Sequence, residues 1–325
     1  MITDYALLLF GLVLLAFSGD WLVRGGSSLA KRFHVSPLVI GVTIISLGTS
    51  APELVVSLNA ALSGHPDISI GNVVGSNIAN IALVLGLTAL LISIPVSRKT
   101  IRMDWVVMMV ATVLFFLFSL DGILQFYEGL IFVILLITYV LYSVRSSHAE
   151  MKGKIKQPSP YGTWLSFVIV LVSIGGLILG SNMLVNSASN IAIGWGVSER
   201  VISLSVIAFG TSVPELATSV MAAIRKELDI SVGNLIGSNI FNIFGILGVT
   251  SLVTDIPVNE DVLKFDWFWM VGICLLLLVF MLPVKRARIR WWEGMIFLLV
   301  YFAYYYIIYF IPELLIETPI LSCCL

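Results

Sequence analysis

The strongest constraint in this sequence is an internal repeat. Residues 36–90 match residues 198–252 at a constant offset of 162, with 28 identities in 55 positions and no gap. The register continues to Pro95 against Pro257 and to Asp104-Trp105 against Asp266-Trp267; after a slip of three residues, Glu128-Gly129 matches Glu293-Gly294. Such a chain has to fold as two copies of one unit. The repeated segments are apolar: mean hydropathy is +1.04 and only 11% of residues are charged, against about 25% in soluble proteins. Most of the chain therefore faces lipid or lies in a bundle buried in lipid.

Ten apolar segments are near the roughly 20 residues that cross a bilayer as helix: 5–22, 37–62, 69–93, 104–120, 126–144, 163–183, 199–224, 231–253, 266–282 and 293–311. The period-2 alternation of a membrane barrel is missing, so the spans are helices. The first run carries Asp4, has no Lys or Arg before it and no A-x-A site after it, so it reads as a retained span and not a signal peptide. The expected fold is an all-α polytopic membrane protein with ten transmembrane helices. Residues 1–157 form the first five-helix repeat and 158–325 the second; no soluble domain fits, the longest polar connection being Arg145 to Tyr161. Five is odd, so the second copy enters the membrane from the opposite side. Inverted repeats of this kind occur in secondary transporters, with the site between the copies near the midplane.

The basic residues agree with this count. Sixteen of the 18 Lys and Arg fall in connections on one side, from Arg24, Lys31 and Arg32 to Lys285, Arg286, Arg288 and Arg290; only Arg200 and Lys264 fall on the other. Positive charge accumulates on the cytoplasmic side, which places both termini outside. It also accounts for the basic loops without nucleic acid. Cys274, Cys323 and Cys324 form no CxxC or Cys/His pattern, so neither a disulfide framework nor a zinc site is expected. His34, His65 and His148 lie in connections and receive no role.

The chemistry sits where the apolar pattern is broken. Gly48-Thr49-Ser50-Ala51-Pro52-Glu53-Leu54 interrupts the second span, and Gly210-Thr211-Ser212-Val213-Pro214-Glu215-Leu216 interrupts the seventh. A carboxylate at membrane depth costs several kcal/mol and marks function. Ser46, Thr49 or Ser50, and Glu53 share one helix face by their spacing of three and four. Pro52 cannot donate to the carbonyl of Gly48, so carbonyls near Ser46 to Thr49, and near Ala208 to Thr211 in the second copy, are expected to turn away from the helix. Helices 2 and 7 are thus the broken ones, at the core of the bundle. The following spans carry Gly71-Asn72-Val73-Val74-Gly75-Ser76-Asn77-Ile78-Ala79-Asn80 and Gly233-Asn234-Leu235-Ile236-Gly237-Ser238-Asn239-Ile240-Phe241-Asn242. Asn72, Ser76 and Asn80 step by four, as do Asn234, Ser238 and Asn242, giving a polar stripe in each copy. Carboxylate, hydroxyl and carbonyl oxygens without His or Cys suit hard cations, calcium or alkali metal.

Two ionised glutamates in low dielectric require neutralisation. One divalent or two monovalent cations supply it; empty, the pair shares a proton or stays hydrated. A carrier that moves readily only when loaded is an exchanger.

The paired G-T-S-x-P-E and G-N-x-x-G-S-N repeats resemble the cation/calcium antiporter superfamily, in its prokaryotic sodium/calcium exchanger branch. The resemblance spans the whole chain. It implies secondary active exchange of sodium for calcium by alternating access, three sodium ions for one calcium and hence electrogenic. It implies ion ligands at Ser46 (carbonyl), Thr49, Ser50, Glu53, Ser76 and Asn80, and at Ala208 (carbonyl), Thr211, Ser212, Glu215, Ser238 and Asn242. No cofactor is implied, and no partner beyond calcium, sodium and the lipid bilayer; no obligate protein partner is expected. Potassium-dependent relatives carry Asp where this chain has Asn242, which predicts potassium independence. The long regulatory loop of animal exchangers is absent between Arg145 and Tyr161, pointing to a prokaryotic plasma (inner) membrane.

Other readings compete residue by residue. Thr49, Ser50, Thr211 and Ser212 can bond back to helix carbonyls, and the asparagines can act as interhelical glue. Asp20 suits a cap or the surface; Asp104 and Asp266 suit N-caps; Trp105, Trp267 and Trp269 suit the membrane interface. At the level of function, a calcium/proton antiporter is the alternative. A cation channel would need a continuous pore, and an intramembrane enzyme would need a nucleophile–base pair that the motifs lack.

Overall fold

A computed structural model of the chain describes residues 2–153, 155, 158–195, 210–282 and 287–310. It is built from α1 (Ile2–Phe33), α2 (Pro37–Thr49), α3 (Ala51–Leu62), α4 (Asp67–Leu91), α5 (Thr100–Phe118), α6 (Phe126–Met151), α7 (Thr163–Gly194), α8 (Val213–Ile224), α9 (Leu228–Val253), α10 (Val262–Phe280) and α11 (Trp291–Phe310). Four two-residue strands accompany them: β1 (Ile94–Pro95), β2 (Ile123–Leu124), β3 (Ile256–Pro257) and β4 (Arg288–Ile289). Among the described residues eight helices are long and apolar enough to cross a membrane, or nine when α2 and α3, bent by 43°, count as one span. The chain is a multi-pass, all-α membrane protein. The seventh expected span, 199–224, is described only from Gly210 onward; residues 199–209 lie outside the described residues.

The chain packs as two compact units, Met1–Glu53 with Ile137–Phe241, and Leu54–Leu136 with Asn242–Leu325.

In the first unit α1 and α7 are repeat mates of 32 residues each, about 48 Å long at 1.5 Å per residue. They outrun the expected spans, which stopped at 22 and 183. The reason is packing that hydropathy does not register: past Leu22, α1 still buries Val23, Leu29 and Ala30, and Ser28 lies 2.7 Å from both Ser159 and Ser166. Along their contact a Cβ on Gly11 would lie 2.9 Å from the Gly180 carbonyl oxygen, so small residues set the separation, as in membrane helix pairs generally. Asp20 is neither a cap nor a surface residue. It is largely buried and pairs with Arg24 at 2.9 Å and with Arg225, which follows α8.

The second unit carries the clearest record of duplication. β1 pairs with β4 (Ile94 opposite Ile289) and β2 with β3 (Leu124 opposite Ile256), both antiparallel. The repeat maps Ile94 onto Ile256 and Leu124 onto Ile289, so the two pairings are the same contact made twice, with the copies exchanging strands. Because α5 connects β1 to β2 and α10 connects β3 to β4, these repeat mates run in opposite directions. Side chains repeat the exchange: Trp105 Nε1 donates to the Cys274 carbonyl at 2.8 Å, and Trp267 Nε1 to the Thr112 carbonyl at 2.9 Å. Cys274 and Thr112 are themselves repeat mates. Asp104 and Asp266, expected as N-caps, make no capping bond. Their helices begin earlier, at Thr100 and Val262, with a turn of π-helix; Asp266 instead accepts from the Tyr304 hydroxyl at 2.9 Å.

Candidate ion site

In both motifs a helix starts just after the same residue, with the same backbone conformation there; in the first motif this breaks a span, and the residues before Gly210 lie outside the described ones. Ser50 has φ −84°, ψ 5° and Ser212 has φ −87°, ψ 0°, values in the sparsely populated bridge region between helix and extended backbone. Pro52 and Pro214 then sit at the start of the next helices, α3 and α8, where a missing N–H costs nothing. Each motif glutamate thereby falls in the first turn of a helix, where the N-terminal peptide dipoles favour a negative charge.

Within the first unit these motifs meet. Ser46, Thr49, Ser50, Glu53, Ser212, Glu215, Asn234 and Ser238 are all fully buried. Ser50 Oγ donates to Glu215 Oε1 at 3.0 Å, and Ser238 Oγ reaches the same oxygen at 3.4 Å. Thr49 Oγ1 donates to Asn234 Oδ1 at 3.1 Å and lies 3.5 Å from Ser238 Oγ. Glu215 Oε2 and Ser212 Oγ have no hydrogen-bond partner among the described residues. Thr211 is half-buried on the turn before Ser212. The approach of α2 to α9 that permits this cluster depends on missing side chains: a Cβ on Gly237 would lie 2.6 Å from Val42 Cα, and one on Gly233 would lie 2.6 Å from the Leu38 carbonyl oxygen.

The second unit holds the other predicted residues. Asn242 Nδ2 donates to Ser76 Oγ at 2.9 Å and to Asn77 Oδ1 at 3.1 Å. Asn80 is fully buried, and neither atom of its amide has a hydrogen-bond partner among the described residues. Asn80 and Asn242 both lie at the start of a π-helical stretch, Ala79–Leu85 and Asn242–Leu247. Such insertions are rare and recur at functional sites. Apolar spacing does not reveal them.

One expectation needs adjustment. The Ser46 carbonyl is not turned away from the helix: it accepts from the Ser50 N–H at 2.9 Å and lies 3.3 Å from Thr49 Oγ1, a longer alternative to Asn234 for that hydroxyl's one proton. Proline removes one donor, the one facing Gly48, and its influence does not extend a residue further back. Ala208 lies outside the described residues. Sequence reasoning also passed over Asn234 as a site residue, although its place in the polar stripe at four-residue steps from Ser238 and Asn242 was visible.

Among the described residues no group of three or more His, Cys, Asp or Glu comes together. A cation bound beside these carboxylates would complete its shell with hydroxyl, amide and backbone oxygens, a donor set for hard ions. The family model described as sodium/calcium exchanger protein matches residues 3–145 and 165–310. The chain belongs to the sodium/calcium exchanger family. The exchanger is 37% identical over 317 residues to the putative antiporter CaxA of Alkalimonas amylolytica, covering 95% of this chain and 99% of that one. It is 33% identical to the sodium/calcium exchanger MaX1 of Methanosarcina acetivorans, covering 96% of this chain and all of the relative. Its structure is similar to that of the sodium-calcium exchanger NCX_Mj soaked with Na+ and Ca2+, with a TM-score of 0.80 at 35% identity, over 95% of this chain and 99% of that one. The exchanger is thus a cation transporter and not an enzyme.

Proposed function

We propose that this exchanger moves sodium against calcium by alternating access, electrogenically and without potassium. The observation that carries the reading is the pair of fully buried glutamates, Glu53 and Glu215, one in each broken-helix motif. Two buried carboxylates with no fixed counter-charge in their motifs are tolerable when a mobile cation neutralises them. One calcium ion supplies two charges, and sodium ions in sufficient number replace it. The polar residues Ser46, Thr49, Ser50, Ser76 and Asn80, with Ala208, Thr211, Ser212, Ser238 and Asn242, complete the proposed ion-binding set. Asparagine at both Asn80 and Asn242 supports potassium independence, since neither stripe ends in an acid. Residues 1–157 and 158–325 act as the two inverted halves, supported by the exchanged strand pairs and the opposed directions of α5 and α10. Basic loops on one side support a cytoplasmic position for that side, both termini outside, and a prokaryotic plasma membrane.

The test is calcium-45 uptake into vesicles holding the purified protein and loaded with sodium. Uptake that requires internal sodium, generates a membrane potential and ignores external potassium is the expected result. Uptake driven equally well by a proton gradient without sodium would assign the calcium/proton alternative. Calcium efflux needing no counter-ion would overturn exchange altogether.

A further inference from the structure

Asn234 lies outside the proposed ligand set yet accepts a hydrogen bond from Thr49, a member of that set. Its amide spans two hydroxyls: Oδ1 accepts from Thr49 Oγ1 at 3.1 Å, and Nδ2 donates to Ser219 Oγ at 3.1 Å. Ser219 is anchored in turn, since the Ser231 hydroxyl donates to its backbone carbonyl at 3.0 Å. The serine half of this arrangement recurs in the other copy, where Asn72 Nδ2 donates to Ser57 Oγ at 2.9 Å and Ser69 Oγ to the Ser57 carbonyl at 3.0 Å. Ser57 and Ser219 each sit four residues after a motif glutamate, one helical turn from it on the same face. Thr49, Ser219, Ser231 and Asn234 are fully buried, so water does not compete for these bonds.

A threonine hydroxyl has one proton and two lone pairs. If the proton points at Glu215 or into the site, it repels a cation; if it points away, the lone pairs face the ion. Asn234 Oδ1 offers an uncharged acceptor for the Thr49 proton at 3.1 Å, and Ser219 engages the amide N–H group so that the carbonyl end is the one left for Thr49. A cation beside Thr49 reinforces that orientation, because it favours the carbonyl end of the amide over the N–H end. We propose that Asn234 is a positioning residue of the ion site: braced by Ser219, it takes the Thr49 hydroxyl proton and so presents that oxygen's lone pairs to the transported cation. The proposal rests on the sodium/calcium reading above and adds to it the part of the polar stripe that contacts no ion.

The test compares Asn234→Leu, Ser219→Ala, Thr49→Val and the double variant Asn234→Leu with Thr49→Val, all in the full chain reconstituted in vesicles. Calcium-45 uptake is measured against calcium concentration, and protection of the purified protein from thermal unfolding by calcium is measured in parallel. Asn234→Leu and Ser219→Ala should raise the calcium KM about three- to tenfold, the range set by one neutral hydrogen bond, with the maximal rate within twofold. In the Thr49→Val background, Asn234→Leu should add nothing further. A drop in maximal rate at unchanged KM, or a full Asn234→Leu penalty persisting without the Thr49 hydroxyl, overturns the proposal. Should Asn234→Leu not fold, Ser219→Ala alone decides it, since this change deletes one hydroxyl: an unchanged KM overturns the bracing role. Absence of sodium-driven uptake by the unaltered protein would instead overturn the exchange reading, and calcium protection would still report on Asn234.

Discussion

The Ser50 hydroxyl donates to the Glu215 carboxylate at 3.0 Å, joining two residues that lie 165 positions apart in sequence. Ser50 belongs to the first motif and Glu215 to the second. Neither motif is complete alone. The acid of one motif accepts a hydrogen bond from a hydroxyl of the other.

Removing either acid should therefore disable the site without unfolding the protein. Glu53→Gln and Glu215→Gln keep the shape of the side chain and delete one charge. Sodium-driven calcium uptake should fall to background in each, while size-exclusion behaviour and helical content stay unchanged. Retained uptake in either variant would remove that residue from the ion site.

Asn242 holds Ser76 and Asn77 through its amide nitrogen, and its oxygen has no partner among the described residues. Asn242→Asp introduces a titratable group there and removes two hydrogen bonds. Calcium uptake in this variant should become sensitive to external pH or potassium where the parent is not. Identical pH and potassium profiles would place Asn242 away from the ions.

The contact between α2 and α9 leaves no room for a methyl group at Gly237. In Gly237→Ala the new carbon would meet backbone atoms of Val42, which cannot rotate away. Overpacking of this kind costs about 1–3 kcal/mol, so the variant should melt several degrees lower in detergent and lose calcium uptake. A variant with the parent's melting temperature and uptake would show that α2 yields without consequence.

Trp105 and Trp267 make the same hydrogen bond in opposite directions between the same pair of helices. Phenylalanine at either position keeps most of the packing and deletes one bond worth about 0.5–1.5 kcal/mol. Trp105→Phe and Trp267→Phe should lower the melting temperature by similar amounts. A several-fold difference between them would mean that one copy carries the load at this contact.

Much of this fold was legible because duplication makes a sequence its own comparison. The 162-residue offset located the two motifs, and the structure breaks the first span at Ser50 and starts a helix after Ser212 with nearly equal dihedral angles at the two serines. Buried acids at Glu53 and Glu215 were legible because apolar surroundings make a carboxylate conspicuous. Features set by side-chain packing were not. The extension of α1 to Phe33 and α7 to Gly194 depends on buried serines and glycines, which hydropathy scores as neutral. The π-helical stretches at Asn80 and Asn242 change the helical register without any marker residue. Asp20 looked like a terminal residue because its partner, Arg225, is 205 residues away.

The exchanged strand pairs have a consequence for biosynthesis. β1 leaves the ribosome early, but its partner β4 is made only after α10. Until then its backbone donors and acceptors stand unpaired at the edge of a partly inserted bundle, where unsatisfied peptide groups are costly. The first half therefore cannot finish folding by itself, however complete its helices. Completion waits for the last helical hairpin: a truncated product lacking it keeps β3 for β2 but leaves β1 without its partner.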